Sequence, residues 1–190
     1  DRDWEGDRSA EAAFTGRVSR YLDLIRQRAK TDQRASVRTT NNFPTGAGLA
    51  SSASGFAALT LASCHALGLR LERAELSALA RQGSGSAARS IFGGFVEWRR
   101  GELPDGSDSH AVPIADRDHW DLRMASAVTS EQKKAASSTA GMELTRQRSP
   151  YYSAWVERSE NPLPAMRDAI AARDFTEDGE LSAASALAMP

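Results

Sequence analysis

The residues best placed to do chemistry lie in one short run, Pro44 to Phe56, which reads PTGAGLASSASGF. It sets Gly46 and Gly48 ahead of Ser51, Ser52 and Ser54, between a stretch patterned as a strand and one patterned as a helix. A glycine-rich turn that opens a helix can gather its backbone N–H groups into a concavity at the positive end of the helix dipole. Such a concavity binds phosphate without any cationic side chain. The serine hydroxyls would add contacts to phosphate oxygens or to a magnesium ion. No Gly-Lys-Ser/Thr follows the glycines, so the run is not a Walker A loop. It also lacks the spacing of a dinucleotide fingerprint. Serine and glycine at a strand-to-helix turn are ordinary capping residues too, and composition leaves both readings open.

A second run, Gly83-Ser84-Gly85-Ser86-Ala87-Ala88-Arg89-Ser90, is another candidate anion cradle. Its guanidinium suits a forked contact with carboxylate or phosphate. On bare spacing, a surface turn with a solvated arginine is the better reading. Asp105 and Asp108 read as turn residues, because a hard cation needs more oxygen ligands than two acids supply. His65, His110 and His119 show no metal-ligand spacing, and no metal site is assigned.

The elements that must position these runs follow from periodicity. Phe14, Val18, Tyr21, Leu22, Ile25 and Ala29 recur at steps of three and four, which predicts an amphipathic helix. Ser36 to Phe43 alternates Val37, Thr39, Asn41 and Phe43 and predicts a strand running into Pro44. Ala53, Phe56, Ala57, Thr60, Cys64 and Leu67 predict a buried, small-residue helix ended by Gly68, and Glu72 to Gln82 a third helix stopping at Gly83. Phe95 to Arg99 and Leu122 to Thr129 pattern as strands, joined by an exposed excursion rich in aspartate, glycine and proline. The final third is helical, in pieces Met142 to Arg148, Tyr151 to Arg158, Pro164 to Arg173 and Glu180 to Met189, with a turn from Asp174 to Gly179.

Composition narrows the partners. The 190 residues carry 24 basic and 25 acidic side chains, so no global field draws the chain to nucleic acid or to a membrane. No run approaches the roughly 18 to 20 apolar residues of a membrane span, and Asp1 to Glu11 is charged where a signal peptide is apolar. A cytoplasmic protein with a small-molecule partner is expected. The single cysteine, Cys64, sits in an apolar stretch and reads as a packing residue in a reducing compartment.

The run Asn41-Asn42-Phe43-Pro44-Thr45-Gly46-Ala47-Gly48-Leu49-Ala50-Ser51-Ser52 resembles the phosphate loop of the mevalonate diphosphate decarboxylases, in the GHMP kinase superfamily, with Gly46 where alanine is common. Gly83 to Trp98 is similar to a second stretch of the same family, with Ala88 where cysteine is usual, and the separation of the two runs matches without insertion. Ser137 to Met142 is a third match. The resemblance implies that Pro44, Ala47, Gly48, Leu49, Ser51, Ser52 and Ser54 bind ATP phosphates, with Mg2+ alongside. It implies that Ser84, Gly85, Ser86, Ala87, Ala88 and Arg89 bind the substrate, mevalonate 5-diphosphate, with Arg89 orienting its carboxylate, and that Ser138 and Thr139 add a later contact. Arg17 occupies the place of a family arginine that meets the substrate diphosphate.

The implied fold is α+β and GHMP kinase-like, with a ribosomal protein S5 domain 2-like ATP-binding part over residues 1–121 and the start of a helix-rich C-terminal part over 122–190, both incomplete. The implied reaction is the ATP-dependent decarboxylation of mevalonate 5-diphosphate to isopentenyl diphosphate. The family's amino-terminal Lys-Tyr-Trp segment and its Asp-Ala-Gly-Pro-Asn segment, which carries the catalytic aspartate, do not occur in these residues. A truncated form, inactive by itself, is therefore expected. A mevalonate or phosphomevalonate kinase of the same superfamily and a non-catalytic phosphate-binding remnant are the alternatives. Full-length relatives are commonly homodimers, and nothing in the sequence fixes the assembly of this chain.

Overall fold

The computed structural model describes residues 8–43, 49–125 and 138–189. They fall into two units, Asp1–Pro113 and Ile114–Pro190. The first unit is built on three helices, α1 (Arg8–Ala29), α2 (Ser51–Ala66) and α3 (Arg73–Gly83), followed by a short 3-10 helix, Gly85–Ile91. A two-stranded sheet of β1 (Phe95–Trp98) and β2 (Ala111–Ala115) completes it, with β2 running across the boundary between the units.

Helical periodicity places the core. Tyr21, Leu22 and Ile25 of α1 meet Phe56, Ala57 and Cys64 of α2, Leu79 and Ala80 of α3, and Ala87 and Ile91 of the 3-10 helix. The many alanines let the helices approach closely, and Cys64 is the buried packing residue its surroundings predict. The helix ends are chemically specified. Gly68, at φ +67°, lets Leu69 N donate to Cys64 O and Gly68 N to His65 O, a Schellman stop. α3 starts with a capping box in which the Glu72 side chain accepts from the backbone at Glu75 and the Glu75 side chain accepts from Glu72 N.

One polar chain runs through this core. Thr60 Oγ1 donates to Phe56 O at 2.6 Å, so its only proton is committed and the Tyr21 hydroxyl, 2.5 Å away, must be the donor to Thr60. The Tyr21 ring meets Phe56 edge-on, with centroids 5.1 Å apart at 87°. Burial pushes the Tyr21 phenol up to about 12.

The structure departs from expectation in four places. Residues 36–41 join no strand and are exposed: alternation makes a strand only where another strand lies alongside, and the sheet among the described residues consists of β1 and β2. β2 lies in what reads as an irregular excursion. Pro113 disguises it, and an edge position in a two-stranded sheet is where proline is tolerated. Residues 122–125 belong to no strand, and the remainder of that expected element lies outside the described residues. The expected turn at Asp174 to Gly179 is instead a helix start: the Asp174 side chain accepts from Thr176 N and Glu177 N, both at 3.0 Å, and caps α7.

In the second unit α4 (Ser138–Arg148), α5 (Tyr152–Arg158), α6 (Leu163–Ala172) and α7 (Phe175–Ala188) follow one another. Ala169 and Ile170 are its buried apolar residues among the described ones, and the His119 ring nitrogen Nε2 lies 2.8 Å from Ile170 O.

The buried phenol makes stability pH-dependent in a defined window. Its raised pKa means the folded state holds the proton more tightly, so this contribution is complete below the ordinary value of 10.0 and is lost as pH climbs toward about 12. Urea denaturation at pH 9 and pH 12 should show wild type losing on the order of 2 kcal/mol more than Tyr21→Phe over that interval. Equal losses in the two proteins would show that the phenol does not titrate with folding.

Candidate anion-binding site

The first run enters the structure at Leu49, because Pro44, Ala47 and Gly48 lie outside the described residues. Ala50, at φ 52° and ψ 38°, is held in the left-handed region and turns the chain into α2. A non-glycine residue there carries strain, and such strain concentrates where a loop must present its backbone in one particular way. Alanine also has no oxygen to cap the helix, so this positive helix end receives no hydrogen bond from its own N-cap side chain.

Of the three serines, Ser54 Oγ donates to Ser51 O at 3.1 Å and is tied to the backbone. Ser52 is exposed, and its Oγ lies 3.2 Å from Ser84 Oγ. That contact joins two runs separated by 32 residues, so the head of α2 and the loop after α3 form one polar surface. Leu49 beside them is 39% exposed.

Arg17, on α1, is brought to the same place. Its Nη2 donates to Gly83 O at 2.6 Å, one residue before Ser84, and its guanidinium lies over the Phe56 ring, 4.8 Å from the centroid. Three stretches far apart in sequence therefore converge: a cation from α1, hydroxyls from the start of α2, and the loop leaving α3. Concentrated donors and one fixed positive charge fit a polyanion.

The second run is a 3-10 helix rather than an open cradle. Ala87 and Ala88 are both 0% exposed, and Ala87 packs into the core beneath the turn. Gly85, Ser86 and Arg89 keep solvent-facing surface, and Arg89 is exposed. The floor under Gly85 is Trp98, close enough that a Cβ at residue 85 would lie 3.1 Å from the indole. Ser138 and Thr139 open α4 in the second unit, and their side chains lie outside the described set.

The segment around Asp105 and Asp108 is the turn its sequence suggests. Asp108 accepts from Glu102 N and Leu103 N, and Asp105 from the backbone and hydroxyl of Ser107, which holds both carboxyls below their usual range. Among the described residues no three His, Cys, Asp or Glu side chains come together to hold a metal ion.

One positioning residue escapes a reading of sequence alone. Ser77, on α3, is 0% exposed; its Oγ donates to Ala88 O at 2.9 Å and accepts from Ala111 N at 2.8 Å. It fixes the residue immediately before Arg89 against β2. Nothing in the sequence separates Ser77 from any other helical serine. Ser77→Ala strands a buried carbonyl and a buried N–H together and should cost about 1–3 kcal/mol in chemical denaturation. A loss below measurement error would mean the two groups find other partners.

Residues 1–111 match the diphosphomevalonate decarboxylase-like N-terminal domain, and residues 125–189 the mevalonate 5-diphosphate decarboxylase C-terminal domain. The chain is 52% identical over 143 residues to the diphosphomevalonate decarboxylase of Ganoderma lucidum, covering 75% of this chain and 35% of that one. Against the enzyme of Candida albicans it is 44% identical over 185 residues, covering 90% and 51%. Among solved structures it is similar to MDDEF in complex with MVAPP, AMPPCP and magnesium, at a TM-score of 0.79 and 39% identity, covering 92% of this chain and 53% of that one. Its fold is accordingly that of the GHMP kinases, in part. The chain spans about half the length, or less, of the curated relatives it matches. With both domain models matched in order along its length, the chain belongs to the diphosphomevalonate decarboxylase family.

Proposed function

We propose that this chain forms the phosphate-binding and substrate-binding part of a cytoplasmic, ATP-dependent decarboxylase that converts mevalonate 5-diphosphate to isopentenyl diphosphate. The observation that carries the reading is the 3.2 Å approach of Ser52 Oγ to Ser84 Oγ, with Arg17 fastened beside them to Gly83 O at 2.6 Å. A site that must hold a nucleotide triphosphate next to a diphosphate ester needs two donor-rich loops within one bond's reach of each other. Relatives named for this activity, and a similar solved structure holding MVAPP, AMPPCP and magnesium, support it.

The proposed chemistry divides among the chain's own groups. The start of α2, with Ser51 and Ser52, would hold the ATP phosphates in the field of the helix dipole. Magnesium, when bound there, would offset the clustered negative charge, with the serine hydroxyls and phosphate oxygens as its donors. Arg17 would face the substrate diphosphate, and Ser84 and Ser86 would complete that subsite. Ser138 and Thr139 are proposed as a further substrate contact. The tertiary hydroxyl oxygen attacks the γ-phosphorus of ATP, the bond from that phosphorus to the bridging oxygen breaks to release ADP, and the hydroxyl proton passes to solvent. The phosphorylated carbon then loses inorganic phosphate while the carboxylate carbon leaves as carbon dioxide, its bonding electrons forming the new double bond. Arg89 would align that carboxylate with the breaking C–O bond, and a forked guanidinium holds a carboxylate in one plane.

Calorimetric titration of the 190-residue chain tests the reading. Mevalonate 5-diphosphate and Mg-ATP should each give saturable heat and raise the melting temperature. Arg89→Ala should weaken diphosphomevalonate by about tenfold or more, the value of a charge-assisted hydrogen bond, and leave Mg-ATP affinity within about twofold. No Asp-Ala-Gly-Pro-Asn string occurs in these residues, so binding without carbon dioxide release is the expected result for this polypeptide. Absence of heat and of thermal stabilisation with both ligands would overturn the assignment.

A further inference from the structure

Arg17 could not hold its place by its own hydrogen bond alone. Its side chain reaches from α1 across to the loop after α3, with Nη2 donating to Gly83 O at 2.6 Å. A single bond to a carbonyl leaves a long side chain free to swing about that contact. What limits the swing is Phe56, whose ring faces the guanidinium at 4.8 Å from the centroid. Phe56 is itself immobilised: it is 2% exposed, Tyr21 meets it edge-on at 5.1 Å, and α3 crosses it at Gly83, where a Cβ would overlap the ring. The same glycine thus supplies the carbonyl that binds Arg17 and the missing side chain that makes room for the ring beneath it.

We propose that Phe56 is a positioning residue for Arg17, holding the guanidinium flat and turned toward the Ser52–Ser84 surface so that its remaining N–H donors meet the substrate diphosphate. The inference rests on the assignment of that surface to a phosphorylated substrate. Phe56 touches no ligand and acts only through Arg17. Replacing the ring with an aliphatic side chain removes the face on which the guanidinium lies. The cation stays on the chain, but its orientation is no longer fixed.

The test is a double-mutant cycle read by calorimetry on the 190-residue chain, with mevalonate 5-diphosphate and mevalonate 5-phosphate as titrants. Phe56→Leu should weaken the diphosphate by about tenfold, in line with a partly desolvated cation–π contact, and the monophosphate by less. In an Arg17→Ala background the same change should have no further effect on affinity, whereas a packing role would cost the same in both backgrounds. Equal penalties, or none, overturn the inference and leave the substrate assignment standing. Failure of the unsubstituted chain to bind either compound overturns the assignment, and the inference with it. If Phe56→Leu does not fold, side-chain NMR of the unsubstituted chain decides. The Arg17 guanidinium resonances should be displaced by the ring current of Phe56 and should move on addition of the diphosphate. Undisplaced resonances, or resonances indifferent to ligand, refute the role.

Discussion

The contact between the Phe56 ring and the bare α-carbon of Gly83 governs the arrangement of the first unit. Because residue 83 has no side chain, the end of α3 can cross directly over the ring, and the chain leaves α3 at Ser84 within reach of Ser52. Any side chain there would push the two helices apart at the point where their loops must meet. Close packing of this kind is unforgiving, since a core at crystal-like density has no slack to absorb an added methyl group. The Ser52–Ser84 surface is thus a by-product of a packing constraint one residue away from it.

Around that contact, buried hydroxyls do what apolar packing cannot. Thr60 and Ser77 are both fully buried, and each both accepts and donates, Thr60 between Tyr21 and Phe56 and Ser77 between Ala111 and Ala88. No buried side-chain nitrogen or oxygen among the described residues is left without a partner. Apolar contacts tolerate sliding, whereas a hydrogen bond fixes distance and direction. The 3-10 helix that carries Arg89 is held by direction as well as by volume.

Much of this was legible in the sequence, and the division follows the range of the interactions. Helices α1, α2 and α3 announce themselves because Tyr21, Leu22 and Ile25, or Phe56, Thr60 and Cys64, recur with a local period, and Gly68 marks a stop by its own backbone freedom. Strands are less legible: residues 36–43 alternate without joining a strand, while β2 pairs despite Pro113, since pairing is decided by whatever lies alongside. Composition and family likeness mark the loops at Ser51 and Ser84, but not their mutual approach, nor the burial of Ala87 and Ala88. Arg17 stood out by position only. Its seat on Phe56 joins residues 39 apart in sequence, a relation with no local signature.

Ser77 also bears on the order in which the chain assembles. Its bond to Ala88 O closes a short stretch of 11 residues, whereas its bond to Ala111 N spans 34. Closing the shorter stretch loses less chain entropy, and helix α3 with its following turn can form locally. The hydroxyl is therefore already oriented by the turn when β2 arrives to donate to it. The arginine-bearing segment is shaped early by its near neighbours, and the late-pairing strand acts as the latch that keeps it so.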